Sequence, residues 1–417
     1  MSRLFRVSCL LVLLVACAFS PAGAQTKQIT LWLIGDAETG SYAQVFKQIE
    51  PALHAAFPDI DLDVHYVVAP NDRFLVALAA GIAPDIVTMS TGQAAQFIEA
   101  GLVVPIDYEV FGVRDSDDLK NLFYPGALAS MYMYDDVFFM PTETTTFGMY
   151  YNIDLLQAHG LDEQHVPRTW DELIEIGKRF MREENGAVQQ TGLALRRGWM
   201  WPSFRFAALI RQAGSDWRVN GRAAFNTPEA LSAIEMYASL FHENKITAPT
   251  ADNVWFQNGN AAFYLGPSYE MRTMEPMTSF DFGTAPYPVI DPANPVSTSY
   301  SYGMFVSSHS QNQKEAWEIV KFITDTEWAP VWYRTSALLI PRAGDWILDI
   351  VADQPKFMPF VLELEHARLE IAHPRYNEIN GAIRDADNQI VARTASVANI
   401  LEDLNQRVDV FLQEPLP

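Results

Sequence analysis

The pattern of apolar and polar positions divides the chain into alternating strands and amphipathic helices. Residues 28–34 form an apolar run read as a strand. Val45, Ile49 and Leu53 share one stripe of a helix over 42–57, which Pro58 ends. Residues 61–68 alternate as a half-buried strand does. A helix rich in Ala and Leu then runs to Gly81. Pro84-Asp85 follows, then a short strand from Ile86 to Met89, a polar loop Ser90-Thr91-Gly92-Gln93, and a helix to Gly101. Helix, strand, polar loop, helix is how an open α/β domain presents a loop at the carboxyl end of a strand.

The same reading continues downstream. Phe147–Tyr151 is an apolar strand. Thr169 and Glu172 form a capping box that opens a helix to about Arg182. Thr227-Pro228 starts the next helix, to about Glu243, and Ser310 with Gln313 caps another through Ile323. Ile390, Val397, Ile400, Leu401, Leu404 and Val408 mark one helical stripe over 390–412. The expected fold class is therefore α/β.

Composition narrows the class. The chain has 417 residues, beyond the size at which a single core usually splits, so two lobes are expected. No repeat or low-complexity linker separates them, which implies that the chain crosses between the lobes more than once. Arg3 and Arg6, the apolar run Val7 to Phe19 and the small residues Ala22-Gly23-Ala24 have the pattern of an export signal over residues 1–24. Leu14-Val15-Ala16-Cys17 also fits lipid attachment at Cys17, although Ala18-Phe19-Ser20 makes a poor soluble tether. The expected location is periplasmic or extracellular, free or anchored through Cys17. Both cysteines, Cys9 and Cys17, lie in this leader, so a core rather than disulfides must hold the exported chain. Acidic residues outnumber basic ones 51 to 29, which argues against nucleic acid and anionic lipid as partners.

Motifs in order along the chain carry a family resemblance. Asp85, Gly101 and Pro105-Ile106-Asp107 come first. Pro141 with Tyr151-Asn152 follows, then Val166-Pro167-Arg168-Thr169-Trp170-Asp171-Glu172-Leu173. Phe256-Gln257-Asn258-Gly259-Asn260-Ala261-Ala262-Phe263 and Ala316-Trp317-Glu318-Ile319-Val320-Lys321-Phe322-Ile323 complete the set. Each is weak alone, but the ordered series resembles the bacterial extracellular solute-binding proteins that feed ABC importers, in the branch that mostly carries sugars. The resemblance implies a type II periplasmic-binding fold, with a ligand cleft between two lobes joined by a hinge that the chain crosses three times. It implies lobes of residues 25–140 plus 304–325 and 141–303 plus 326–417. It also implies a monomer that captures a mono- or oligosaccharide and docks on permease subunits, with no metal, cofactor or covalent chemistry.

Enzyme signatures are absent from the sequence. No Gly-x-Ser-x-Gly elbow, His-Glu-x-x-His helix or phosphate-cradling loop with Lys occurs. The pairs His159/His165 and His366/His373 lack metal-helix spacing, and the acidic pair Asp135-Asp136 reads as solvated loop charge. A sugar site wants aromatic platforms for C–H faces and planar polar groups for hydroxyls. Asp36 follows the first strand, where the resemblance implies hydroxyl contacts, against a plain turn aspartate; Glu38 is a weaker candidate. Ser90, Thr91 and Gln93 occupy the loop where relatives place a polar or acidic contact. Thr145 lies four residues after Pro141, where some relatives carry a ligand-binding Glu, with Glu143 close enough for the register to slip. Trp199 and Trp201, flanked by Gly198 and Pro202, suit a loop and match a second-lobe aromatic platform. Tyr269 stands beside Ser268, which replaces a Trp of relatives. Tyr302 falls at the second crossing. Arg375 and Asn380 lie in the C-terminal segment, where an ion pair is the competing reading for the Arg. Two alternatives stay open. A glycerol 3-phosphate or glycerophosphodiester ligand would need a cleft cation such as Arg334, Arg342, Arg375 or Arg384, and a secreted carbohydrate-active enzyme would also use aromatics and carboxylates.

Overall fold

A computed structural model describes residues 26–124, 132–133 and 136–413. The export signal and Cys17 lie outside the described residues. The first lobe opens with β1 (Lys27–Ile34), α1 (Ser41–Ala56), β2 (Ile60–Val67), α2 (Pro70–Ala80), β3 (Ile86–Ser90), α3 (Thr91–Glu99) and β4 (Val103–Val104). β1 pairs in parallel with both β2 and β3, as short strand–helix–strand units require. The long strand β5 (Met140–Asn152) leads into the second lobe. There β6 (Arg182–Glu184), β7 (Ala187–Leu195), β8 (Ala261–Pro267) and β9 (Phe282–Pro286) are interleaved with α4 (Trp170–Gly177), α5 (Trp201–Gln212) and α6 (Pro228–Ser239). A second long strand, β10 (Ser297–Ser307), returns to the first lobe, followed by α7 (Gln313–Ile323) and α8 (Ala329–Ser336). β11 (Ala367–Leu369), α9 (Tyr376–Ala392) and α10 (Val397–Gln413) complete the chain.

One sheet runs through both lobes in the order β2-β1-β3-β10-β5-β8-β7-β6, with β4 and β11 on β10 and β9 on β5. β5 and β10 make this continuity possible. Residues 140–146 of β5 pair with β10, and residues 147–152 pair with β8 and β9. These two antiparallel strands are the hinge. The bulge between Tyr302 and Gly303 adds local twist there. Separate cores flank the hinge. One holds Ile29, Leu31, Val45, Ile49, Phe97 and Trp317, and the other holds Met149, Trp170, Phe204, Tyr237 and Leu401. Trp332, Leu338 and Ile340 pack into the first core, whereas Tyr333 and Leu339 pack beneath the second-lobe sheet. The third crossing thus lies between α8 and Ile340, past the boundary at 325 expected from sequence, because the apolar residues after α7 divide between two cores.

Local differences from the expected elements have identifiable causes. Ser90 ends β3 and α3 starts at once, without a loop, because Ser90 Oγ donates to Gln93 Oε1 at 3.0 Å and folds the polar residues into the first turn. Ser310 does not cap α7, where Asn312 is the cap; it donates instead to Asp85 Oδ1 at 2.5 Å, while Asp85 Oδ2 accepts from Thr30 N–H at 2.8 Å. Asp85 is therefore a strut between β1, β3 and the end of β10. The stripe over 390–412 is broken into α9 and α10 at Arg393, whose φ is 53°. The helix after Thr169 stops at Gly177, whose backbone packs so closely on Gly192 of β7 that a Cβ on Gly192 would lie 2.2 Å from the Gly177 carbonyl oxygen.

Candidate functional site

The hinge strands carry one coherent polar face. Tyr302 on β10 stands opposite Glu143 on β5 and Ser90 on β3, and Tyr300 stands opposite Thr145. Directly opposed residues share a face of the sheet, so Ser90, Glu143, Thr145, Tyr300 and Tyr302 form a floor between the lobes. The other face is closed off, since Thr144 Oγ1 and Ser301 Oγ lie 2.8 Å apart and Thr146 Oγ1 donates to the Phe360 carbonyl at 2.7 Å.

The second lobe walls this floor with aromatic rings. Tyr302 meets Tyr300 edge-on at 6.1 Å, Phe204 stacks on Tyr300 at 5.2 Å, Trp201 lies 5.8 Å from Phe204, and Trp199 lies 5.8 Å from Trp201. This path runs from the hinge to Trp199, which is 55% exposed. Trp199 has φ 43°, a left-handed conformation that costs an ordinary side chain about 1–2 kcal/mol. Trp201 is the first residue of α5, with Pro202 behind it, rather than a loop residue. Its ring carries the Arg196 guanidinium at 4.6 Å. Arg196 in turn pairs with buried Glu270 at 2.8 Å and points toward the Tyr269 hydroxyl at 3.5 Å. Beneath this loop, Arg205 donates to the Arg196 carbonyl at 2.6 Å and to Tyr237, Tyr237 donates to Asp387 at 2.6 Å, and Arg197 pairs with the same carboxylate at 2.9 Å. The aromatic loop thus rests on a buried, charge-paired base.

The lobes touch on both sides of the floor. On one side Arg272 Nη1 donates to Ser41 Oγ at 3.0 Å. On the other, Gly92 of α3 faces Tyr376 of α9 so closely that a Cβ on Gly92 would lie 2.4 Å from the ring. Tyr376 is fixed by donating to Glu370 Oε2 at 2.8 Å. Ser90 and Thr91 are buried beside this contact.

The remaining expected residues fall into different settings. Asp36 is exposed at the end of β1, and its Oδ1 accepts from Glu38 N–H and Thr39 N–H, both at 2.9 Å. These bonds, that from Thr39 first, hold its carboxyl below the usual carboxylate range. Glu38 is exposed in the same turn. Tyr269 is partly buried against both cores. Arg375 sits at the α9 N-cap, 3.5 Å from Glu378. Asn380 is buried and donates to the Tyr376 carbonyl at 2.8 Å. The floor and its walls bring together Ser90, Thr91, Thr145, Trp201, Tyr269 and Tyr302, whereas Asp36 and Glu38 lie in the exposed turn that leads into Ser41 and α1.

Two buried acids stand out: Glu143, a register alternative to Thr145 in the sequence, and Glu370, which the sequence does not single out. Glu143 is 5% exposed and Glu370 is 2% exposed. Burial pushes each carboxyl up to about 8. The signal for Glu143 was an acid inside Met140-Pro141-Thr142-Glu143-Thr144-Thr145-Thr146-Phe147, a strand otherwise without charge. Glu370 carried none, because its setting depends on β11 docking beside β10.

Comparison with known proteins agrees with this architecture. The chain is 24% identical over 385 residues to the maltotriose-binding protein of Pyrococcus abyssi, covering 88% of this chain and 79% of that one. The cyclic alpha-maltosyl-1,6-maltose binding protein from Arthrobacter globiformis superposes with a TM-score of 0.78 at 22% identity, covering 93% of this chain and 99% of the other. UgpB from Mycobacterium tuberculosis in complex with glycerophosphocholine gives 0.75 at 19% identity, over 92% and 98%. Residues 38–330 match the family model for bacterial extracellular solute-binding proteins. With that match spanning most of its length, on two lobes joined by a strand hinge, the chain belongs to the bacterial extracellular solute-binding proteins.

Proposed function

We propose that this protein is the solute-capturing subunit of an ABC importer and that its ligand is a mono- or oligosaccharide held between the lobes. The observation that carries the reading is the unbroken aromatic path from Tyr302 to exposed Trp199, beside a floor of hydroxyls and carboxyls. Such rings offer flat apolar platforms to sugar C–H faces, and the polar floor serves the hydroxyls. Closing the lobes brings the two halves together, so a ligand that touches both favours the closed form by its differential affinity for that form. The closed form is then what docks on the permease. Asp36, Glu38, Ser90, Thr91, Gln93, Thr145, Trp199, Trp201, Tyr269, Tyr302, Arg375 and Asn380 remain the proposed contact set, with Glu143 added on the floor. No covalent step is assigned to any of them.

The glycerophosphodiester reading needs a cation turned toward the floor. Arg334 instead pairs with Asp353 at 3.2 Å and Arg196 with Glu270, while Arg342 lies over the Phe123 ring at 5.0 Å with Nε and Nη1 unpartnered among the described residues, so the sugar reading rests on the aromatic path rather than on the lack of a cation. A thermal-shift panel of neutral sugars, amino sugars and glycerophosphodiesters tests the proposal. A ligand at about 100 times its Kd adds about 2.7 kcal/mol of stability. A shift by a phosphodiester alone would overturn the sugar assignment.

A further inference from the structure

The floor of the cleft has an excess of acceptors. Among the described residues, Glu143 Oε2 and Glu370 Oε1 are buried without a hydrogen-bond partner, and so is Asn380 Oδ1. Both carboxyls flank the Tyr302 phenol, which burial raises first and their charges raise further. Among the described residues, the neighbours that face them are hydroxyl groups rather than cations. Tyr42 from α1 and Tyr300 and Tyr302 from β10 approach Glu143; Tyr376 from α9 and Tyr302 approach Glu370. Among the described residues, Arg342 Nε and Nη1 lack hydrogen-bond partners, with the guanidinium over the Phe123 ring at 5.0 Å, whereas other arginines are engaged elsewhere. Arg196 pairs with Glu270, Arg272 reaches Ser41, and Arg211 pairs with Asp216 at 3.0 Å while donating to the Leu369 carbonyl. Arg375 lies by Glu378, and His373 is held below its usual range by burial and by Arg218 and Arg375.

A buried carboxyl without a partner is costly unless it stays protonated or meets a cation. Tyrosine rings beside it add attraction for a cation over their faces. The net charge of −22 favours the approach of cations and disfavours that of anions. We infer that the saccharide this protein captures carries a basic nitrogen, and that Glu143, with Glu370 behind Tyr302, receives its ammonium group. This rests on the sugar reading above and specifies it as an amino sugar. The ammonium supplies the N–H donors that the orphaned oxygens lack, and a carboxylate–ammonium contact is stronger than a neutral hydrogen bond. Because burial holds both carboxyls protonated near neutral pH in the empty protein, capture of the cation displaces a proton to solvent.

The test is a calorimetric titration of the mature protein with matched sets. Glucosamine, galactosamine and mannosamine are compared with their parent hexoses and N-acetyl forms, with the corresponding short oligomers and with choline. Expected is a preference of roughly 10- to 100-fold for the amino sugar over its neutral partners. Titrations at about pH 6.5 in two buffers of different ionisation enthalpy should show proton release for the amino sugar only. Glu143→Gln should abolish that release and bring the two affinities within about threefold; equal weakening of charged and neutral ligands would mark a structural role and overturn the assignment. Neutral sugars binding as tightly as amino sugars in the unmutated protein would overturn the ammonium inference and leave the sugar reading standing. Choline binding without any sugar would do the reverse. Binding of none of the set would refute both.

Discussion

Replacing Glu143 by Gln should change how stability depends on pH. The carboxyl is pushed from its ordinary 4.5 to about 8 by burial alone. In the folded state it therefore holds a proton that the unfolded chain has already lost over that interval, so folding takes up a proton. The sign follows: this group costs nothing below about 4.5, erodes stability as pH rises toward about 8, and has a constant effect beyond. Each tenfold difference in proton affinity is worth about 1.4 kcal/mol, so the full penalty is on the order of 5 kcal/mol. Between about pH 5 and 7.5 the change is roughly 3 kcal/mol. Gln keeps the shape and cannot ionise, so it removes this slope. Glu370, also pushed up to about 8, and Glu363, pushed up to about 7, have the same sign and keep a residual slope in the variant. The assay is denaturant unfolding of ligand-free mature protein and variant at several pH values, with m-values compared to verify the same transition. The variant should gain on the unmutated protein by roughly 3 kcal/mol from pH 5 to 7.5. A stability difference that does not vary with pH would refute the burial argument, whatever its size.

Four further substitutions probe the site and its support. Trp199→Gly should raise stability by about 1 kcal/mol by relieving the left-handed φ and weaken sugar binding, whereas Trp201→Ala should lower both; unaltered binding in each variant would remove the stacking assignment. Gly92→Ala puts a Cβ against the buried Tyr376 ring and should cost the closed form about 1–3 kcal/mol, read as about 5- to 150-fold weaker binding and a more open ligand-bound form in small-angle scattering. Asp387→Ala leaves Arg197 without its buried partner and should destabilise by about 3–5 kcal/mol; a loss below about 1 kcal/mol would show that the network under the aromatic loop carries little.

The sequence made the fold legible where a residue's meaning is local. The stripe Val45, Ile49 and Leu53 is buried on α1, and the Thr169–Glu172 capping box forms at α4. It was less informative where two distant segments decide the outcome. Ser310 reads as a cap, yet Asp85, 225 positions away, competes for its hydroxyl and prevails. The acceptor-rich floor was hidden for the same reason, since Glu143, Tyr302 and Glu370 meet only after β10 pairs with β5 and β11 docks beside it. Trp199 and Trp201 stood out through density of aromatics alone. Their different roles, one exposed and strained, the other packed under Arg196, depend on where α5 begins.

The position of the unpaired acids also bears on how capture and closure are coupled. An acid on the rim of either lobe would be solvated whether the lobes are apart or together, and would contribute little to choosing between those states. Glu143 lies on the strand common to both lobes, opposite Tyr302, and Tyr302 and Tyr269 each pack against both cores. A group that satisfies Glu143 therefore acts where the two lobes meet. The platform at Trp199 and Trp201, by contrast, belongs to the second lobe and is built by its own network. Ring stacking can hold a sugar on one lobe before closure, while the floor rewards only a ligand that reaches the hinge. Selectivity then resides in the hinge strands, and variants of the floor should alter which ligand closes the lobes more than whether a sugar first lands.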